Sequence, residues 1–245
     1  MKKGKIHIGT SGWHYKHWKK VFYPEDVNDA GQFAYYSSQF STVEINNSFY
    51  RLPDTATFAA WRKAAPPGFL FAVKGSRFIT HMKKLKLEKE EIRLFFSHVK
   101  YLKEKCGPVL FQLPPRWRFN EERLAHFLSI LPKKYQYAFE FRDTSWYRQE
   151  TYDLLKQFNC AFCIYELAGH QSPVEVTASF VYIRLHGPTM NKYQGSYTRR
   201  QLAVWMKQCN TWAKQGKDVY LYFDNDQAGY AAFNAQEMLQ LSRSK

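Results

Sequence analysis

The sequence predicts one (β/α)8 TIM-like barrel, and three observations predict it. Eight short, β-rich apolar runs recur along the chain. Amphipathic helical patterns separate most of them. The connections are long on one side of this alternation and short on the other. No Pro-, Ser- or Gly-rich linker and no low-complexity run divides the 245 residues, so 1–245 is read as a single domain. An open doubly wound sheet is the competing topology.

The eight runs are 5–9, 42–45, 70–74, 109–113, 137–141, 161–165, 180–186 and 219–223. Between the first three lie helical patterns at 30–40 and 55–64. The clearest helix follows at 88–106, with Ile92, Phe95, Phe96, Val99, Leu102 and Cys106 on one face and Gly107-Pro108 as its stop. Segment 120–131 ends at Pro132, and 149–158 follows the fifth strand. Segment 198–215 has Thr198 as N-cap, a stripe of Leu202, Trp205, Cys209 and Trp212, and Gly216 after it. The last helix fits 228–241. Only 166–179, between the sixth and seventh strands, lacks a helical period, so an irregular connection is expected there.

Helix-to-strand links at Ser41, 107–108, Asn159 and 216–217 are short, whereas the strand-to-helix links 10–29, 46–54, 75–87 and 187–197 are long. Barrels place their sites at this second end, because strand ends fix geometry while loops vary.

Parallel strands covered on both faces should be apolar throughout, and these are not. The seventh alternates Val181, Ile183 and Leu185 with Tyr182, Arg184 and His186. The eighth alternates Val219, Leu221 and Phe223 with Tyr220, Tyr222 and Asp224, and Asp226 continues the polar side. Glu44 and Asn46, Lys74, Gln112, and Glu140 with Arg142 take the same phase on other strands. This polar set should face the lumen and crowd toward its C-terminal mouth, either as a ligand site or as an internal salt-bridge plug.

Lys and Arg outnumber Asp and Glu by 36 to 21, a formal charge of +15, and residues 1–24 and 184–217 contain no acid at all. That asymmetry favours an anionic partner, nucleic acid among them. No stretch approaches a membrane span of about 20 apolar residues, so no membrane role is expected and the cytoplasm is the expected compartment. Cys160 and Cys163 have metal-ligand spacing but opposite strand phases, so free thiols are expected. The first long loop interleaves Trp13, His14, Tyr15, His17 and Trp18 with Lys16, Lys19 and Lys20, a pattern that serves either base stacking with phosphate contacts or a local aromatic core.

Seven segments carry a resemblance to a known family. They are Ile8-Gly9-Thr10-Ser11-Gly12-Trp13, Val43-Glu44-Ile45-Asn46 with Phe49-Tyr50, Phe71-Ala72-Val73-Lys74 with Thr80-His81, Phe111-Gln112-Leu113-Pro114-Pro115, Glu140-Phe141-Arg142 with Ser145-Trp146, Tyr182-Ile183-Arg184-Leu185-His186-Gly187, and Phe223-Asp224-Asn225-Asp226. Together they span nearly the whole chain, which closely resembles the YecE-like proteins, or domain of unknown function 72. The resemblance implies a TIM-like barrel of the kind seen in sugar isomerases and apurinic endonucleases, and implies no particular reaction. Family members usually show Asn where Asp224 stands, and an Asp where this chain has Tyr165-Glu166.

The leading expectation is an enzyme, of the phosphoesterase-like hydrolase or lyase class, acting on a phosphate-bearing substrate, a nucleic acid or nucleotide. The catalytic set is Glu44, Glu140, His186 and Asp226. The substrate set is Trp13, Asn46, Tyr50, Lys74, Gln112, Arg142, Trp146, Arg184 and Asn225, with Arg142 and Arg184 clamping phosphate and Lys74 neutralising developing charge. A divalent metal on Glu44, Glu140, His186 and Asp226 is weighed and set lower, since His186 is the only histidine at a strand end. Two alternatives compete: glycoside cleavage by Glu44 and Glu140, and nucleic-acid binding without catalysis.

Overall fold

A computed structural model describes residues 2–243. Its main elements are β1 (Ile6–Thr10), α1 (Gln32–Gln39), β2 (Thr42–Ile45), α2 (Thr55–Ala64), β3 (Leu70–Lys74), α3 (Lys89–Val99), β4 (Cys106–Gln112), α4 (Glu121–Ile130), β5 (Tyr137–Glu140), α5 (Gln149–Gln157), β6 (Ala161–Leu167), β7 (His170–Gln171), β8 (Phe180–Leu185), α6 (Arg199–Lys214), β9 (Asp218–Phe223) and α7 (Tyr230–Arg243). Eight strands run parallel in the order β1-β9-β8-β6-β5-β4-β3-β2, with helices outside them, and form a nearly closed TIM-like barrel. The irregular connection falls where the missing helical period puts it: after β6 the chain turns back through β7, which pairs antiparallel with β6. Among the described residues no helix is long and apolar enough to cross a membrane.

Local chemistry sets the helix starts. Asp54 accepts from the Thr57 N–H at 2.7 Å and Asn120 from the Arg123 N–H at 2.9 Å. Thr198 and Gln201 close a reciprocal capping box at the head of α6. The run expected as one helix over 88–106 differs. Here α3 stops at Val99, a 3-10 stretch covers Lys100–Lys105 with Lys103 at φ 50°, and Cys106 and Gly107 open β4 instead of ending a helix. Leu102 is still buried through the break, so the apolar stripe persists where the backbone does not.

The barrel closes between β1 and β2 without a regular ladder. A single bridge pairs Ser11 with Glu44. Beside it the Tyr36 hydroxyl sits in the seam, accepting from the Thr10 N–H at 3.0 Å and donating to the Thr42 carbonyl at 3.1 Å. The close approach needs Gly9, since a Cβ there would lie 2.3 Å from the Thr42 carbonyl oxygen.

Two cores result. A large outer one lies between strands and helices, and a small inner one fills the lumen with Ala72, Leu110, Ala138, Ala161 and Cys163 facing Tyr182, Tyr220 and Tyr222. Cys160 belongs to the outer core and Cys163 to the inner, and all four cysteines are free. The inner phase continues upward, strand by strand, into Glu44, Lys74, Gln112, Glu140, Tyr165, Arg184 and Asp224, which form the floor of the mouth.

Candidate functional site at the barrel mouth

Arg184 stands at the centre of that floor, and all of its N–H groups are engaged. Nη2 reaches Glu44 Oε1 and Asp224 Oδ2, each at 2.7 Å; Nε reaches Glu44 Oε2 at 3.0 Å; Nη1 reaches Glu140 Oε2 at 2.9 Å. Glu44 also accepts from Ser11 Oγ at 2.6 Å and Tyr182 Oη at 2.7 Å, so its carboxylate is saturated. Arg142 pairs with the other oxygen of Glu140 through its Nε and lays its guanidinium over the Tyr165 ring, 4.7 Å from the centroid. Burial alone would raise the Glu140 carboxyl, but Arg142 and Arg184 outweigh it and hold it well below the usual range. Asp224 shows the same competition, and Arg184 again wins.

His186 is oriented by these groups. Its Nε2 faces two guanidinium donors, Arg142 Nη2 and Arg184 Nη1, each at 3.2 Å, and guanidinium nitrogens cannot accept. Nε2 is therefore the acceptor. The ring hydrogen sits on Nδ1, 3.1 Å from Asp224 Oδ2 but off the ideal angle for a bond.

Lys74 is different. It is 7% exposed, yet its ammonium makes no hydrogen bond or ion pair among the described residues; it rests over the Phe49 ring, 4.5 Å from the centroid. Burial, assisted by Arg184, lowers its pKa to about 8. His81 packs against the same Phe49 ring, and burial together with Lys74, Arg77 and Arg142 lowers its pKa.

The sequence-derived residues therefore divide into groups. Glu44, Glu140, Arg142, Arg184, His186 and Lys74 converge, and Gln112 ends β4 level with Glu140. Trp13, Asn46 and Tyr50 line a neighbouring cavity of about 370 Å³ between the loops after β1 and β2. Three assignments need correction. Trp146 is fully buried, stacked on Phe141 with its indole N–H bonded to the Trp117 carbonyl at 2.7 Å, so it cannot touch a ligand. Asn225 is buried as well; its amide holds Gly195 and Asn234, which fixes the loop after β8 onto α7. Asp226 does not join the cluster, because β9 ends at Phe223 and the alternation stops there.

Asp226 instead accepts from Trp18 Nε1 at 2.5 Å and faces His17 Nε2 at 3.1 Å, on the flank of the mouth. Burial pushes its pKa up to about 6. The four residues considered for a metal consequently do not surround one point: Glu44, Glu140 and His186 point at a guanidinium, and Asp226 points away. Among the described residues no group of three or more His, Cys, Asp or Glu could hold a metal ion. Arg184 is likewise too fully engaged and too deep to clamp a phosphate in this arrangement.

Asp224, Ser11 and Tyr182, beyond the residues that the sequence singles out for the site, complete the floor. In the first loop the aromatics divide: Trp18, Phe22 and Tyr23 form a buried cluster with Tyr35 and Tyr36, whereas Trp13 and Tyr15 line the cavity.

The family model described as "Protein of unknown function DUF72" matches residues 7–245. The UPF0759 protein YunF of Bacillus subtilis is 29% identical, across 96% of this chain and 94% of that protein. The UPF0759 protein YecE of Escherichia coli K12 is 27% identical across 56% of this chain and 48% of its own length. The crystal structure of a DUF72 family protein from Thermotoga maritima superposes with a TM-score of 0.85 at 27% identity, covering 97% of this chain and 98% of that one.

Proposed function

We propose, for this chain, which belongs to the DUF72 family, an enzyme that binds a phosphate-bearing substrate, a nucleotide or nucleic acid, in the mouth of the barrel. The observation that carries this reading is Lys74, a buried ammonium that makes no ion pair among the described residues and feels Asp224, Glu44 and Glu140 only at longer range. Isolated buried charges are costly, and a phosphate oxygen would supply the missing partner. The N–H groups of Arg142 that Glu140 and His186 do not take, and the half-buried His81, lie near Lys74.

The rim favours a polyanion. Exposed Lys16, Arg77, Lys84, Lys86, Arg116, Arg118 and Lys192 come from four different loops, and Tyr50, Phe78 and Tyr193 expose aromatic surface beside them. In this scheme Arg184 is a positioning residue, which Glu44, Glu140 and Asp224 hold under the phosphate. Asp226, with a pKa of about 6, is the carboxyl suited to carry a proton near neutral pH, alongside His17. Glycoside cleavage finds less support, because Glu44 and Glu140 are both fully buried beneath Arg184 and neither reaches a glycosidic oxygen while it stays there. Four free thiols suit a reducing compartment, the cytoplasm.

Titration calorimetry with inorganic phosphate and with short oligonucleotides tests the reading. Binding that disappears in Lys74→Met is expected; equal affinity in the variant would overturn it. Turnover of phosphodiester and phosphomonoester substrates, lost in Asp226→Asn, separates an enzyme from a binding protein.

A further inference from the structure

Lys74 has a second chemical capacity besides its charge. It ends β3, where the Gly75 N–H donates to the Leu110 carbonyl at 2.7 Å and Ser48 Oγ donates to the Lys74 carbonyl at 2.6 Å, so the backbone beneath the side chain is pinned. Among the described residues, the polar side-chain atoms that are both sealed from solvent and unpartnered belong to Gln32, Asn46, Thr151, His186 and Asn225. The Lys74 nitrogen also lacks a hydrogen bond yet is not one of them, so part of the residue's small exposure is at the nitrogen itself. Burial and the Arg184 charge lower its pKa to about 8, with Asp224, Glu44 and Glu140 opposing, so free amine is present near neutral pH. An ordinary lysine is almost wholly protonated there. A desolvated lysine near another cation is the arrangement that makes an amine nucleophilic.

We propose that Lys74 is a nucleophile that forms a Schiff base with the carbonyl carbon of a phosphate-bearing aldehyde or ketone at the mouth of the barrel. The inference rests on the phosphate reading and narrows its substrate class: the ammonium form attracts the phosphate, and the free amine attacks the carbonyl. In the attack the nitrogen gives its electron pair to the carbonyl carbon, and the carbonyl oxygen takes a proton from solvent. His81 packs on the same Phe49 ring, and burial together with Lys74 keeps its imidazole basic form populated by lowering its pKa. It takes one proton from the nitrogen and passes it to that oxygen, which leaves as water while the carbon–nitrogen double bond forms. The step consumes one proton, releases one water and changes no oxidation state. The iminium keeps the positive charge that the lysine had, so the phosphate keeps its partner. It also withdraws electrons from the adjacent carbon, as lyase and isomerase chemistry on a carbonyl compound requires.

The test is reductive trapping of the whole protein with sodium cyanoborohydride and either glyceraldehyde 3-phosphate or glyceraldehyde, with adducts placed by peptide mass mapping. Calorimetry with glycerol 3-phosphate, which has the phosphate and no carbonyl, runs beside it. One dominant adduct is expected, on Lys74, formed by glyceraldehyde 3-phosphate roughly tenfold or more faster than by glyceraldehyde, the advantage that one charged contact supplies. Lys74→Arg keeps a cation but has no nucleophilic amine. It should lose the adduct and still bind glycerol 3-phosphate. Exposed lysines such as Lys84 and Lys192 that label as fast as Lys74 overturn the nucleophile, and so does a Lys74 that stays unlabelled. If glycerol 3-phosphate binds in either case, the phosphate reading stands alone. Equal labelling of Lys74 by the two aldehydes, with no binding of glycerol 3-phosphate, keeps the nucleophile and removes the phosphate. Silence in both measurements defeats both. Mapping of the native protein decides the question even where Lys74→Arg does not fold.

Discussion

Arg184 and Glu44 meet through a two-bond fork inside the barrel, Nη2 to Oε1 at 2.7 Å and Nε to Oε2 at 3.0 Å, with neither side chain exposed. The same guanidinium serves Glu140 and Asp224, so three carboxylates share it, with Arg142 as a second cation on Glu140. Removing one partner of a buried pair costs about 3–5 kcal/mol, because the other charge is left uncompensated. Arg184→Met should reach that range in urea denaturation at neutral pH. Adding Glu44→Gln should recover part of the loss, since two sites in one network do not add independently. Strictly additive costs would show that the fork couples nothing.

Acid stability follows from the same network. Against the opposing effect of burial, Arg142 and Arg184 depress Glu140, and Arg184 depresses Asp224. A carboxyl whose folded pKa lies below its unfolded one stabilises the protein above the unfolded value, and that stability drains away as pH falls toward the folded value. Denaturation midpoints should therefore drop from about pH 5 downward, steeply in the native sequence and less so in Glu140→Gln. Parallel profiles for the two proteins would mean that Glu140 is not the source.

Much of this cluster was legible in the sequence, because a parallel strand buried on both sides has no other use for a charge. The period of two picks out Glu44, Lys74, Glu140 and Arg184, and the structure puts all four on the lumen side. The same period marks Asp224 through Tyr220 and Tyr222; Asp226 shares that phase only if the strand continues, and the chain leaves it after Phe223. Trp146 and Asn225 stood out as parts of motifs, but a motif residue that braces a loop looks no different from one that touches a ligand. Nor does alternation say how many bonds a guanidinium makes. Only the structure shows that Arg184 is fully engaged, whereas Lys74 meets the Phe49 ring and makes no ion pair among the described residues.

Lys74 should show a conflict between stability and binding. Its folded pKa of about 8 lies below the ordinary 10.5, so the folded state pays to keep the proton at neutral pH and stability rises with pH between the two values. Lys74→Met removes a shift of more than two units at about 1.4 kcal/mol each, so it should stabilise the protein by on the order of 3 kcal/mol at pH 7. It should also abolish phosphate binding, and in the native protein binding should weaken as pH rises through about 8. A destabilised Lys74→Met, or phosphate affinity that stays flat to pH 9.5, would sink the assignment.

Asp226 shows the opposite sign from Glu140. Burial raises its carboxyl from 3.8 to about 6, against the pull of His17. Between those values the folded protein keeps a proton that the unfolded chain has lost, so stability falls as pH climbs through that window, and the deficit remains above it. Asp226→Asn cannot titrate and should flatten the profile from pH 4 to pH 6, gaining on the native protein as pH rises. His17→Gln should move the native inflection upward, because it removes the charge that holds the carboxyl down. Since this pair ties the loop after β1 to the turn after β9, ligand binding at the mouth should carry the same inflection. Denaturation midpoints and calorimetry across that range check both, and an inflection that His17→Gln leaves in place would locate the titrating group elsewhere.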